Sequence, residues 1–193
     1  MLERVDRGVG DILAALDKLG LSRNTIVIFT NDNGGEWLSR NAPLFHRKDT
    51  LWEGGIRVPL VMRWPGRVPA GRVSAQAGIT MDLTASILAA TNTPVPAEAR
   101  FEGIDLVPAL SARSTRERTL FFRIASPGRQ QRAVRQGDWK LLVDGDDIML
   151  FNLAHDIGER NDLAKARPDV ARRLRPLITA WERDVDAEAK ALQ

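Results

Sequence analysis

The chain has 193 residues, of which 44% are hydrophobic and 27% are charged, and its net charge is +3. This balance is sufficient for the core of one domain, or of a large and a small domain, and it excludes a disordered composition. The absence of cysteine excludes disulfides, thiolate metal sites and cysteine nucleophiles, and the interleaving of basic with acidic residues does not indicate a nucleic-acid interface.

The first part of the chain predicts an α/β arrangement. Apolar side chains recur at three- and four-residue steps over residues 5–19, which predicts an amphipathic helix. The β-branched run at residues 26–30 predicts a strand that is buried on both faces, as in a parallel sheet. Residues 58–63 predict a second strand, and residues 81–90 predict a helix with Thr80 as its N-cap.

The pattern changes to short strands after about residue 115. Three strands of an antiparallel meander are predicted, at residues 132–135, 139–143 and 148–153. Pro168 is well placed to begin a final helix. We therefore predict an α/β sheet portion over residues 1–115, followed over residues 116–193 by a small antiparallel β-sheet and a C-terminal helix.

The polar segment directly after the first strand is a candidate ligand site. Asp32 and Asn33 are followed by two glycines, at the carboxyl end of a strand where open α/β sheets bind their ligands. Carboxylate and amide oxygens suit Ca²⁺ or Mg²⁺ better than a soft transition metal. An ordinary Asn/Asp/Gly turn is the alternative, and this motif alone favours the turn.

A basic loop further along the chain contains His46 and Lys48. A lysine near a divalent cation could bind an oxyanion such as sulfate or phosphate, whereas the alternative is an exposed basic loop. His46 has no second histidine at metal-ligand spacing, so a packing role and a role in a site both stay open for it.

The order of these segments resembles the sulfatase family. The most specific matches are NTIVIFTNDNGG, which begins at Asn24, and APLFHRKDTLWEGGIRVPLVMRWPG, which begins at Ala42. Weaker matches to the C-terminal subdomain of the family are residues 137–141, 150–153 and 159–164. The resemblance covers nearly the whole chain and implies an alkaline-phosphatase-like α/β fold with a smaller C-terminal antiparallel sheet.

The resemblance implies hydrolysis of sulfate esters by an arylsulfatase-like enzyme at a Ca²⁺ site, with Mg²⁺ as the alternative ion. By position, Asp32 and Asn33 would be metal ligands, Lys48 would contact the sulfate, and His46 is a further catalytic candidate. The substrate would be a small-molecule or carbohydrate sulfate ester. The alternatives are a phosphoesterase or phosphonate hydrolase of the same superfamily, and a non-catalytic remnant that binds sulfated ligands.

The family nucleophile is a formylglycine made within a Cys/Ser-x-Pro-x-Arg motif, and this chain does not contain that motif. Its nearest segment, Ser126-Pro127-Gly128-Arg129, has a different spacing. We therefore expect a fragment that is inactive alone and that depends on an N-terminal segment for the remaining ligands and strands. Related enzymes are often periplasmic or secreted, but this chain has neither a signal peptide nor an apolar run of the roughly 18–20 residues that span a membrane.

Overall fold

The computed structural model describes residues 2–96, 99–111 and 115–191. The chain divides into two compact units, one of which contains Met1–Thr30 and Leu60–Arg116, and the other Asn31–Pro59 and Glu117–Gln193. The domain boundary at residue 115 stays a prediction, because compactness alone groups Asn31–Pro59 with the C-terminal part of the chain.

The helices and strands lie as follows in chain order: α1 (Leu2–Lys18), β1 (Val27–Thr30), α2 (Glu53–Ile56), β2 (Leu60–Arg63), α3 (Met81–Ala90), α4 (Val107–Ser111), β3 (Thr119–Ser126), β4 (Arg129–Gln136), β5 (Trp139–Asp144), β6 (Asp147–Asn152) and α5 (Pro168–Ala191).

The first unit contains a two-stranded sheet. Strand β1 pairs with β2 in antiparallel register, with Val27 opposite Arg63 and Thr30 opposite Leu60. The prediction of a strand at residues 26–30 is confirmed, but the expectation that it is buried in a parallel sheet is wrong for the described residues, because β1 is only partly buried. An apolar, β-branched run indicates a strand without determining how that strand pairs.

Helix α3 occupies the predicted residues 81–90, but its N-terminus is held differently from the prediction. Thr80 makes no side-chain capping hydrogen bond. Instead, Asp82 is fully buried, and its carboxylate accepts hydrogen bonds from the backbone N–H groups of Ile79, at 2.8 Å, and Ile104, at 2.9 Å. A buried carboxylate in the first turn therefore ties the helix to the residues just before it and to a distant segment.

The second unit contains a four-stranded antiparallel meander in the order β3-β4-β5-β6. Its last three strands confirm the predicted ones, whereas β3 is not predicted by the sequence pattern. One face packs against α5 through Val134, Leu141, Leu150, Val170, Leu174 and Ile178. The other face packs against the segment before β2 through Leu51, Trp52, Ala133, Leu142, Phe151 and Leu153.

Both faces of this sheet are therefore buried. Because successive side chains of a strand point to opposite faces, each central strand needs two consecutive apolar residues, one for each face. Helix α5 begins at Pro168 as predicted and contributes an apolar stripe. Within the described part of the chain, no helix combines the length and apolar character needed to cross a membrane.

Candidate functional site

Two backbone hydrogen bonds hold the candidate metal loop, residues 32–35, against the segment that carries Lys48. The N–H of Gly34 donates to the carbonyl of Gly55 at 2.8 Å, and the N–H of Lys48 donates to the carbonyl of Gly35 at 3.0 Å. Both segments belong to the second unit. The structure thus brings together the loop and the lysine that sequence reasoning proposed for one site.

Three glycines make this close approach possible. A Cβ on Gly34 would lie 1.8 Å from the carbonyl oxygen of Gly54. A Cβ on Gly54 would lie 2.2 Å from the carbonyl oxygen of Phe45, and one on Gly55 would lie 2.2 Å from that of Thr50. No side chain fits at these distances, so the backbone packs directly on backbone in and around α2.

The oxygen donors of Asp32 and Asn33 fit a hard divalent cation in kind. Oδ1 of Asp32 accepts a 2.9 Å hydrogen bond from the backbone N–H of Asn33, and Nδ2 of Asn33 donates to the carbonyl of Gly34 at 2.9 Å. The amide oxygen of Asn33 is therefore the end that remains for a ligand. Two residues provide only part of the roughly six to eight oxygens that Ca²⁺ takes. The described residues contain no group of three or more His, Asp or Glu side chains placed to hold a metal ion.

His46 lies on an aromatic surface. Its ring stacks on Trp52, with centroids 6.2 Å apart and planes 14° apart, and it meets Phe45 edge-on at 5.4 Å. The pKa of His46 is lowered from 6.5, first by partial burial of the ring and then by the charges of Arg129 and Arg47. The imidazole is therefore neutral near pH 7 and is able both to donate and to accept a hydrogen bond.

A buried ion cluster lies under α2 and was not identified from the sequence. The side chain of Lys140 is 1% exposed, and its Nζ lies 2.9 Å from Oε1 of Glu53 and 2.8 Å from Oε1 of Glu159. Arg57 donates through Nε to Oε2 of Glu53 at 2.5 Å. Nζ of Lys140 is within ion-pair distance of both carboxylates. These residues join α2 to the meander.

The two carboxyl groups of this cluster have different protonation properties. Burial alone would raise the pKa of Glu53, but the charges of Lys140 and Arg57 outweigh it, and the pKa lies below the ordinary 4.5. Burial raises the pKa of Glu159 above 4.5, and Lys140 offsets that effect only in part. A lysine in the middle of the apolar β5 sequence is the one signal that could have revealed this cluster.

Comparison with known proteins gives one family. The family model described as Sulfatase matches residues 1–93. The chain is 39% identical to the N-acetylgalactosamine-6-sulfatase of Canis lupus familiaris over 127 residues. This alignment covers 63% of this chain and 24% of that protein. It is 30% identical to the steryl-sulfatase of Mus musculus, with coverage of 98% of this chain and 36% of that protein.

A solved structure agrees with these relatives. The crystal structure of Ps i-CgsB in complex with k-i-k-neocarrahexaose matches with a TM-score of 0.88 at 30% identity, over 94% of this chain and 41% of that one. The predicted fold class, an α/β portion followed by an antiparallel sheet and a C-terminal helix, is confirmed. The matched parts make up 24%, 36% and 41% of the lengths of these three proteins, so the chain spans less than half of each.

Proposed function

Because this chain belongs to the sulfatase family, we propose that it forms one side of the active site of a metal-dependent sulfate ester hydrolase. The observation that carries the proposal is the pair of hydrogen bonds from Gly34 to Gly55 and from Lys48 to Gly35. They hold a loop with hard oxygen donors against the backbone of a lysine that suits an oxyanion. A divalent cation and a lysine are both groups that can stabilise the negative charge of a reacting sulfate ester.

Asp32 and Asn33 would hold Ca²⁺, or Mg²⁺ as the alternative. A bound divalent cation would supply Lewis-acid stabilisation of the negative charge at the sulfate. The ammonium of Lys48 would contact the sulfate oxygens and neutralise charge that develops on the departing oxygen. The neutral ring of His46, two residues before Lys48, would donate a hydrogen bond to the same ester.

The nucleophile of the reaction would be a formylglycine from outside this sequence. The chain has no Cys/Ser-x-Pro-x-Arg motif in which that residue is formed. Its own residues would therefore bind and orient the sulfate, and hydrolysis would need the rest of the site. We propose that the 193 residues alone do not turn over substrate.

The substrate class that we propose is a sulfated carbohydrate. One relative is named for a sulfate on N-acetylgalactosamine, and the Ps i-CgsB structure contains a neocarrahexaose. A steryl-sulfatase is also among the relatives, so an aryl or steryl sulfate is the competing class.

Binding of the partial ligands tests the proposal without the nucleophile. We expect inorganic sulfate to shift the NMR signals of Lys48, and Lys48→Ala to weaken sulfate binding about tenfold or more, which corresponds to loss of one charge-assisted contact. Lys165→Ala, a change at an exposed lysine, is the matched control. Calorimetry with Ca²⁺ should detect binding that Asp32→Ala removes and that the exposed change Asp11→Ala does not affect.

Turnover assays separate the alternatives. The chain is incubated with a chromogenic aryl sulfate, with and without Ca²⁺, and with the matching aryl phosphate. We expect neither ester to be hydrolysed. Ca²⁺-dependent release from the sulfate would refute the proposal that the nucleophile lies elsewhere, and release from the phosphate alone would favour a phosphoesterase.

A further inference from the structure

The loop between the candidate metal loop and Lys48 exposes a tryptophan. Trp37 is 68% exposed, and the guanidinium carbon of Arg47 lies 4.6 Å from the centroid of its ring. A single exposed apolar side chain needs no explanation by itself. Trp37 differs from that ordinary case because neighbouring groups fix its position.

Glu36 links the backbone of Trp37 to the side chain of Arg47. Oε1 of Glu36 accepts a 2.7 Å hydrogen bond from the N–H of Trp37 and a 2.9 Å hydrogen bond from Nη1 of Arg47. The pKa of Glu36 is lowered, first by the hydrogen bond from Trp37 and also by Arg47, so the carboxylate is ionised at neutral pH. An ion pair thus holds the guanidinium over the indole.

The same loop is fastened to the candidate site. Nδ2 of Asn41 donates to the carbonyl of Gly35 at 3.2 Å and to that of His46 at 3.0 Å. Gly35 also accepts the hydrogen bond from Lys48. The carbonyl of Gly35 therefore accepts hydrogen bonds both from Asn41, at the end of the Trp37 loop, and from the backbone of the lysine proposed to contact sulfate. The loop and the lysine segment are joined at this carbonyl, two residues before Trp37.

We propose that Trp37, backed by Arg47, is a platform on which a sugar ring of a sulfated oligosaccharide stacks while the sulfate is at Lys48; this inference rests on the function proposed above. The guanidinium of Arg47 lies over the indole, and because Trp37 is 68% exposed, ring surface is available to the apolar C–H face of a sugar ring. Of the five N–H donors of a guanidinium, Nη1 contacts Glu36, so donors remain for a hydroxyl or a second sulfate.

The test compares three probes on the 193-residue chain by calorimetry: inorganic sulfate, a sulfated carrageenan hexasaccharide and the same hexasaccharide without sulfate. Trp37→Ala should weaken the sulfated hexasaccharide about tenfold, as expected for one lost stacking contact, and should leave inorganic sulfate unchanged. Trp37→Phe should retain most of the affinity. Leu38→Ala, at the neighbouring 93% exposed residue, is the control and should change neither.

The other possible outcomes distinguish failure of the Trp37 platform from failure of the proposed function. If Trp37→Ala leaves the hexasaccharide unchanged while Lys48→Ala weakens all sulfated probes, the platform is wrong and the proposed function stands. If Trp37→Ala also weakens inorganic sulfate, the residue acts on the lysine loop and not by stacking. If neither sulfate nor the sulfated hexasaccharide binds the wild-type chain, the platform and the proposed function both fail.

Discussion

The backbone N–H of Glu53 donates a 2.6 Å hydrogen bond to Oε2 of Glu159, a residue 106 positions further along the chain. Both side chains are buried, and Nζ of Lys140 lies between Oε1 of Glu53 and Oε1 of Glu159. The first turn of α2 is therefore fixed to the segment after β6 by one main-chain hydrogen bond and one shared cation. Since Lys48 lies five residues before Glu53, this junction supports the candidate sulfate-binding loop.

Removal of the shared cation should destabilise the chain strongly. Lys140→Met keeps the volume of the side chain but leaves two buried carboxylates that face each other, and we expect a loss of about 3–5 kcal/mol in the free energy of unfolding. Urea unfolding measures the change. Lys165→Met, at an exposed lysine, should stay within about 0.5 kcal/mol of the wild type.

A combined variant separates charge from packing at this cluster. Removal of the two carboxylates as well, with Glu53→Gln and Glu159→Gln added to Lys140→Met, should recover part of the lost stability because no buried carboxylate then lacks its cation. Arg57, which loses the Glu53 carboxylate in this variant, has a side chain that is 35% exposed and can be solvated. Equal stabilities for Lys140→Met and Lys165→Met would show that the cluster contributes little.

The two carboxyl groups of the cluster should give opposite pH dependences of stability. Burial has the largest effect on the pKa of Glu53 and would raise it, but Lys140 and Arg57 together lower the folded-state pKa below the ordinary 4.5. The contribution of Glu53 to the free energy of unfolding is therefore present above pH 4.5 and is lost as pH falls. The folded-state pKa of Glu159 is raised by burial, so its contribution is present below 4.5 and is lost as pH rises through the folded-state pKa.

Difference curves between pH 3 and 8 measure this effect. The stability of the wild type minus that of Glu53→Gln should fall as pH falls below about 4.5, and the stability of the wild type minus that of Glu159→Gln should fall as pH rises above about 4.5. Glu188→Gln, at an exposed position of α5, controls for the loss of one charge. Parallel curves for the two buried variants would contradict the assignment.

The meander could be predicted from sequence because glycine- and aspartate-containing turns separate its last three strands. Strand β3 could not, since its apolar residues Leu120, Phe121 and Phe122 are consecutive, and such a run suits a buried strand or a helix equally. The partners of Lys140 could not be predicted from the sequence either, because Glu53 lies 87 positions away in the chain. Asp32, Asn33 and Lys48 became candidates together only through the family resemblance, and their roles stay proposals.

The contact at Gly34 should be intolerant of any side chain. Gly34→Ala would place a Cβ 1.8 Å from the carbonyl oxygen of Gly54, and we expect a loss of about 1–3 kcal/mol, as for other overpacked sites. Hydrogen exchange at the N–H of Lys48 should accelerate, because its acceptor is Gly35 in the same loop.

Gly10→Ala is the matched control for that change. Gly10 lies in α1, and a Cβ there would have no neighbour within 4 Å, so alanine should stabilise the helix by about 0.5–1 kcal/mol. If both glycine variants unfold at the same urea concentration as the wild type, the close packing between Gly34 and Gly54 does not limit stability.

The two-stranded sheet of the first unit should make the isolated chain associate. Phe29 and Val61 lie directly opposite each other on β1 and β2 and are 40% and 59% exposed, so they form an apolar cross-strand pair on an open face. We expect the sedimentation coefficient to rise with protein concentration and Val61→Thr, which retains β-propensity, to reduce that rise. Val73→Thr, at a 92% exposed residue outside the sheet, is the control. A monomeric wild type at all concentrations, or equal effects of the two variants, would exclude the sheet face as the site of association.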